Sequence, residues 1–265
     1  MKPIIINDSK ISYSNVIDFL DIRRDDIVVV SSDITRLFYI EYERTGIIPN
    51  PNVLIDSIKE KVGRMGTVLF PVFNWDFCKG ITFDYKKTKG KTGTLGNVAL
   101  KRSDFRRTKH PIYSFMVSGY HQDFFCNLTN KNSFGKGSVF DYFCELNVKF
   151  MLVDITMDQG FTFVHHIEQL GRVPYRYHKE FTSQYIDELG ETTERGYSMF
   201  VRDLEMNPIQ NLDPMEYDFF EIGIMRKYLI NDISYLIIKA KDALNPILDD
   251  IKNNRSKKIF KYTGQ

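Results

Sequence analysis

The sequence predicts an α/β protein in which a mixed central sheet is flanked by helices. Three observations predict it. Short β-branched and aromatic runs recur along the 265 residues, segments with helical apolar spacing lie between them, and cap and stop residues separate the two kinds. Hydrophobic residues make up 43% of the chain and charged residues 26%, a globular balance that argues against a disordered chain.

The elements follow in order. Residues 27–31 read as a buried strand. Asn50-Pro51 reads as an N-cap followed by proline at the first helical position, and Val53, Leu54, Ile58 and Val62 recur at helical spacing until Gly63 and Gly66. Residues 67–73, 113–118 and 147–155 hold three more strands. Residues 79–94 are polar and lysine-rich, a long loop of the kind that carries function. Thr162 caps a helix to about Gly171, with Pro174 beyond it. Residues 198–201 form a further strand, and 215–228 and 238–251 read as helices. No repeat or linker divides the chain, so 1–265 is expected to be one domain, with a basic, solvated tail at 252–265 (Lys252, Arg255, Lys257, Lys258, Lys261).

Several classes are set aside. No apolar run reaches the roughly 20 residues of a membrane helix, and residues 1–10 have no leader pattern, so a cytoplasmic protein is expected. Cys78, Cys126 and Cys144 are widely spaced, which suggests neither a disulfide framework nor a metal site. Net charge is +2, with no acidic excess to attract a polycation, and the basic tail reads as solvated rather than as a nucleic-acid contact.

Four clusters carry possible chemistry. In Thr162-Phe163-Val164-His165-His166-Ile167-Glu168, helical spacing places His165 and Glu168 on one face and His166 elsewhere. An imidazole oriented by a carboxylate is a general base, although the spacing also describes an ordinary helix surface. Arg106-Arg107-Thr108-Lys109-His110-Pro111, followed by Ser114, offers donors suited to phosphate, or is a solvated basic loop. Gly135-Lys136-Gly137-Ser138 is either an anion-binding nest at a helix start or a plain turn. Ser31-Ser32 ends a strand, where ligands sit in α/β sheets.

Taken in order, these pieces resemble the aminoglycoside 3-N-acetyltransferase family. Val30-Ser31-Ser32 is similar to its His-Ser-Ser element, and Gly66-Thr67-Val68-Leu69-Phe70-Pro71-Val72-Phe73 to its Gly-Thr-strand-Pro-Thr-Phe element. Gly93-Thr94-Leu95 and Arg107-Thr108-Lys109-His110-Pro111-Ile112-Tyr113-Ser114 follow, then Gly135-Lys136-Gly137-Ser138. Thr162, His165 and Glu168 match the catalytic Thr-x-x-His-x-x-Glu, and Val173-Pro174-Tyr175-Arg176 its Val-Pro-Tyr-Arg. The likeness spans roughly residues 12–180. Three positions depart from it: Val30 replaces the histidine, Val139 replaces a proline, and the glycine expected after the fourth strand is missing near Asp154 and Ile155.

The resemblance implies acetyl transfer from acetyl-CoA to a sugar amine, on a fold distinct from both the commoner acetyltransferase superfamily and the left-handed β-helix. It implies that His165 is the base and Glu168 its orienting acid, with direct transfer and no acetylated cysteine. CoA would be held by Arg107, His110, Ser114, Gly137 and Ser138. Ser31 and Ser32 would lie at the thioester, and Phe73, Trp75 and Tyr175 would pack on the sugar. No metal is expected, and the protein would act as a monomer or homodimer. Lys86, Lys87, Lys89 and Lys91 favour an anionic acceptor, such as a nucleotide-linked amino sugar of surface-polysaccharide biosynthesis. An aminoglycoside is the alternative, and a non-catalytic CoA- or sugar-binding protein is the alternative of another class.

Overall fold

The central strands are apolar on consecutive residues because both faces of the sheet are covered. The computed structural model describes residues 2–262. It runs through β1 (Ile4–Ile6), β2 (Ile27–Ser32), α1 (Thr35–Thr45), α2 (Pro51–Val62), β3 (Thr67–Pro71), β4 (Phe83–Asp84), α3 (Thr94–Ala99) and β5 (Arg106–Arg107). Next come β6 (Phe115–Gly119), α4 (Gln122–Cys126), β7 (Lys149–Val153), α5 (Met157–Gly160) and α6 (Val164–Gly171). The C-terminal part holds β8 (Arg176–Ile186), β9 (Thr192–Arg202), β10 (Pro208–Gln210), α7 (Asp213–Glu221), β11 (Met225–Ile230), β12 (Ile233–Lys239), α8 (Ala240–Asn253) and β13 (Phe260–Tyr262).

Eight strands form a mixed sheet in the order β1-β11-β12-β7-β2-β3-β6-β5. Its centre is parallel, with β2 between β3 and β7, while β6 and β12 flank it antiparallel. Successive side chains take opposite faces. Val29, Leu69, Phe115 and Phe150 therefore meet one core, under Ile167 of α6 and Ile247 of α8. Val28, Val68, Met116 and Met151 meet the other, under Leu37 of α1 and Ile55 of α2. The long β8–β9 hairpin joins β4 in a separate three-stranded sheet.

Local signals hold where they are strongest. The Asn50 side chain accepts from Asn52 N at 3.0 Å, and α2 stops at Gly63, whose φ is +71°. Elsewhere the sequence reading needs correction. The helix expected over 215–228 ends at Glu221, and after Gly223 the chain becomes β11, with Met225, Tyr228 and Ile230 buried. The helix expected from 238 begins at Ala240, because Ile238 and Lys239 complete β12. α6 begins at Val164, and Thr162 does not cap it with its side chain. The 79–94 loop contains β4, which pairs with β8.

In the described part of the basic tail the backbone is docked, while Lys252, Arg255, Lys257, Lys258 and Lys261 stay exposed. Ile259 and Phe260 are buried, β13 pairs with β10, and Asp250 accepts from the Lys258 amide. Residues 263–265 lie outside the described residues. Among the described residues no helix is long and apolar enough to cross a membrane.

Candidate active site

The site begins with the helical turn that brings His165 over Glu168. Nδ1 of His165 lies 2.8 Å from Glu168 Oε2, and the carboxylate is almost fully buried. Tyr175 donates to the other oxygen, Oε1, at 3.1 Å. Arg176 Nε lies 2.8 Å from Oε2 without pointing along a hydrogen bond, so that contact is ionic. Phe134 supports the imidazole edge to face, with ring centres 5.3 Å apart.

Two short contacts at one nitrogen favour opposite tautomers, and the shorter one, to the buried Glu168 carboxylate, decides between them. Arg176 Nη2 also lies 3.1 Å from His165 Nδ1. A proton on Nδ1 satisfies the carboxylate, whereas an unprotonated Nδ1 would turn a lone pair toward a carboxylate oxygen. We therefore place the proton on Nδ1 and the lone pair on Nε2. Burial first, and the Arg176 guanidinium second, hold the imidazole below the ordinary histidine pKa, against the pull of Glu168. Burial alone would raise Glu168, but the His165 hydrogen bond and Arg176 hold it below the usual carboxylate range. The pair at neutral pH is a neutral imidazole on an ionised carboxylate. His166 turns away, with Nδ1 2.7 Å from the Phe134 carbonyl and its ring stacked on Phe163.

His165 lines a cavity of about 660 Å³ together with Trp75, Tyr113, Asp158, Arg176 and the β8–β9 ribbon. A narrower cavity of about 180 Å³ lies beside it, lined by Ser31, Ser32, Phe73, Gly93, Gly96 and Thr162 among others. Lining residues of the two are in contact: Phe73 packs on Tyr113, with centroids 4.9 Å apart, and His165 N bonds the Thr162 carbonyl. Gly96 lets α3 approach the end of β3, since a Cβ there would sit 2.3 Å from the Pro71 carbonyl oxygen. The Ser31 hydroxyl donates to the Gly160 carbonyl at 3.2 Å, so its one proton is committed.

The other expected CoA contacts are not brought to this place. Arg107 is 1% exposed, and its guanidinium is used by Ser114 Oγ and by the carbonyls of Tyr85, Thr88 and Val72. The Ser114 hydroxyl donates on to the Val72 carbonyl. His110 accepts the Ile112 and Tyr113 amides on Nδ1, and its Nε2 lies 3.3 Å from Ser133 Oγ. Ser138 is buried and accepts from Asp141 N, while Gly137 N bonds the Asp141 carboxylate. An anion at that turn would face a carboxylate. These five residues brace loops and line neither cavity. Tyr175 is also corrected. It is fully buried against Phe260 and holds Glu168 rather than a sugar face. Trp75 does border the His165 cavity, and Phe73 borders the narrow one.

The family model described as aminoglycoside 3-N-acetyltransferase matches residues 33–249. The chain belongs to the aminoglycoside 3-N-acetyltransferase family. It is an N-acetyltransferase of that family, in line with the sequence expectation. No curated protein matches it significantly. Among solved structures it is similar to the AAC-IIIb binary complex with CoASH, at 17% identity and TM-score 0.71, covering 92% of this chain and 97% of that one. It is similar to AAC-VIa bound to sisomicin, at 16% identity and TM-score 0.73, covering 92% and 98%. It is also similar to the YokD protein of Bacillus subtilis, at 17% identity and TM-score 0.73, covering 97% and 96%.

The missing glycine after β7 now has an explanation. Asp154 stands there with φ +54°, a conformation that glycine adopts freely and Asp tolerates. Its carboxylate is held by Arg36 Nη1 at 2.8 Å. Three site residues were not assigned roles from sequence. Arg176 was visible in the Val-Pro-Tyr-Arg element, whereas Arg202 and Lys179 reach the cavity only through the register of the β8–β9 hairpin.

Proposed function

We propose that the protein transfers the acetyl group of acetyl-CoA directly to the amine of an amino sugar, with His165 as general base. The observation that carries this is a neutral imidazole held from behind by Glu168, its Nε2 without a hydrogen-bond partner among the described residues, on the wall of a cavity that adjoins a narrow cleft. The cleft, with its hydroxyl and glycine lining, suits a pantetheine arm. The His165 cavity suits a sugar.

The amine nitrogen attacks the thioester carbon and gives up a proton to Nε2. The C–N bond forms, the C–S bond breaks, and the proton passes to the departing thiolate. Positioned proton transfer of this kind contributes about 10²–10⁴-fold. Ser32 and nearby backbone amides are candidates to stabilise the carbonyl oxygen. The family likeness and the neighbour crystallised with CoASH support the donor. His165→Ala should abolish release of CoA thiol while melting as the parent does. Near-normal turnover by the folded variant overturns the assignment, and CoA binding without any thiol release by the parent favours a binding protein instead.

For the acceptor we favour a nucleotide-linked amino sugar of surface-polysaccharide biosynthesis. The aminoglycoside reading has its own support, because the neighbour AAC-VIa is bound to sisomicin. The lysine loop no longer argues between them, since Lys86, Lys87, Lys89 and Lys91 do not line the His165 cavity. The discrimination falls to the His165 cavity. Assay of thiol release with a UDP-linked amino sugar and with tobramycin decides between the two acceptors.

A further inference from the structure

The His165 cavity carries charges that the proton transfer does not use. Its lining includes three cations, Arg176, Lys179 and Arg202, and one carboxylate, Asp158. Arg176 is matched by Glu168. Asp158 accepts the Leu212 amide at 3.2 Å. Lys179 and Arg202 are both exposed. Neither makes an ion pair or a side-chain hydrogen bond among the described residues, and the Lys179 ammonium lies 5.5 Å above the Phe181 ring.

Arg202 also stands directly opposite Arg176 in the β8–β9 register. Like charges at directly opposite positions destabilise an antiparallel ribbon. Arg176 is balanced by Glu168, so an anion in the cavity would meet Arg202 and Lys179 as its uncompensated cations. A polycation would meet the same field unfavourably, where a site built for one would place carboxylates. Arg202 adds to the pressure that keeps His165 neutral, so its charge reaches the reacting centre.

We propose that Lys179 and Arg202 form an anion-binding subsite of the acceptor cavity, so that the amine acceptor carries a phosphate group, as phosphorylated and nucleotide-linked amino sugars do and aminoglycosides do not. This rests on the reading of the His165 cavity as the acceptor side. A diphosphate of either substrate carries the charge these cations bind, and the test separates the two.

Equilibrium binding of UDP is measured on the parent with its donor site saturated by CoA, and on the double variant Lys179→Ala, Arg202→Ala. The parent should bind UDP alongside CoA. The variant should lose at least about tenfold in UDP affinity, the worth of one charge-assisted contact, with unchanged CoA affinity and melting. Absence of UDP binding by the CoA-loaded parent overturns the subsite, as does an unchanged affinity in the variant. A parallel fall in CoA affinity assigns the cations to the donor and equally overturns the proposal. If the double variant melts early, the single Arg202→Gln variant gives the same comparison. The readout is binding, so it stays informative if His165 proves not to be the base, and loss of turnover in His165→Ala says nothing for or against it.

Discussion

Tyr175 and His165 hold the two oxygens of one buried carboxylate, the phenol on Oε1 at 3.1 Å and the imidazole on Oε2 at 2.8 Å. The tyrosine therefore acts through Glu168, and removing its hydroxyl tests the arrangement without emptying the core. Tyr175→Phe keeps the ring against Phe260 and deletes one hydrogen bond to a charged group. The expected result is a fall in kcat of about three- to tenfold, corresponding to roughly 1 kcal/mol, with KM for both substrates unchanged. Glu168→Gln should fall further, because the imidazolium formed during the reaction loses its counter-charge. Equal activity in all three proteins would falsify the claim that this carboxylate supports the base.

The acid limb of the pH profile carries the next prediction. The reactive form of His165 is neutral. Burial, then Arg176, depress its pKa, so the limb should lie below the ordinary imidazole value of about 6.5. Arg176→Gln removes a positive charge beside the ring. Less depression means a higher pKa, so the limb of kcat/KM should move upward in pH. Stopped assays across mildly acid buffers measure this, and a downward move contradicts the geometry.

Arg107 gives a prediction that separates bracing from substrate binding. Its guanidinium serves Ser114 and three carbonyls inside the protein. Arg107→Met strands those acceptors and should cost about 2–4 kcal/mol in urea unfolding. The folded fraction should keep the parental KM for acetyl-CoA. A raised KM with unchanged stability would restore Arg107 to the donor site.

The sequence was most legible where a local rule decides the structure. Asn50, Pro51 and Gly63 bracket α2 through capping and backbone conformation, and the i,i+3 spacing delivers His165 to Glu168. It was least legible where long-range contacts decide. Arg107, His110 and Ser114 have the composition of a phosphate loop, yet the chain folds over them and uses each donor and acceptor internally. Nothing near Arg107 in sequence shows that Tyr85 and Thr88 will cover it. The segment after Gly223 was misread because its apolar spacing fits a helix until β12 and β1 are seen pairing on either side of it. Arg202 carries no motif at all; only the hairpin register places it across from Arg176.

His110 supplies a last prediction, about stability and pH. Its ring is buried, with Nδ1 accepting two backbone amides, and burial pushes its pKa down to about 3. In the unfolded chain the same group titrates near 6.5. Between these values the unfolded state binds a proton that the folded state refuses, so unfolding is favoured as pH falls through that window. Stability should be at its full value above about pH 6.5 and should decline toward pH 3, with His110 contributing a slope of up to about 1.4 kcal/mol per pH unit. His165 and His166 are depressed in the same direction and add to the total. His110→Asn retains an acceptor without a titrating ring, so its urea unfolding free energy should fall less steeply over that range, even if it begins lower at pH 7. Parallel curves for the two proteins would mean that His110 is not held neutral in the core, and that the turn at Ile112 and Tyr113 is secured by something else.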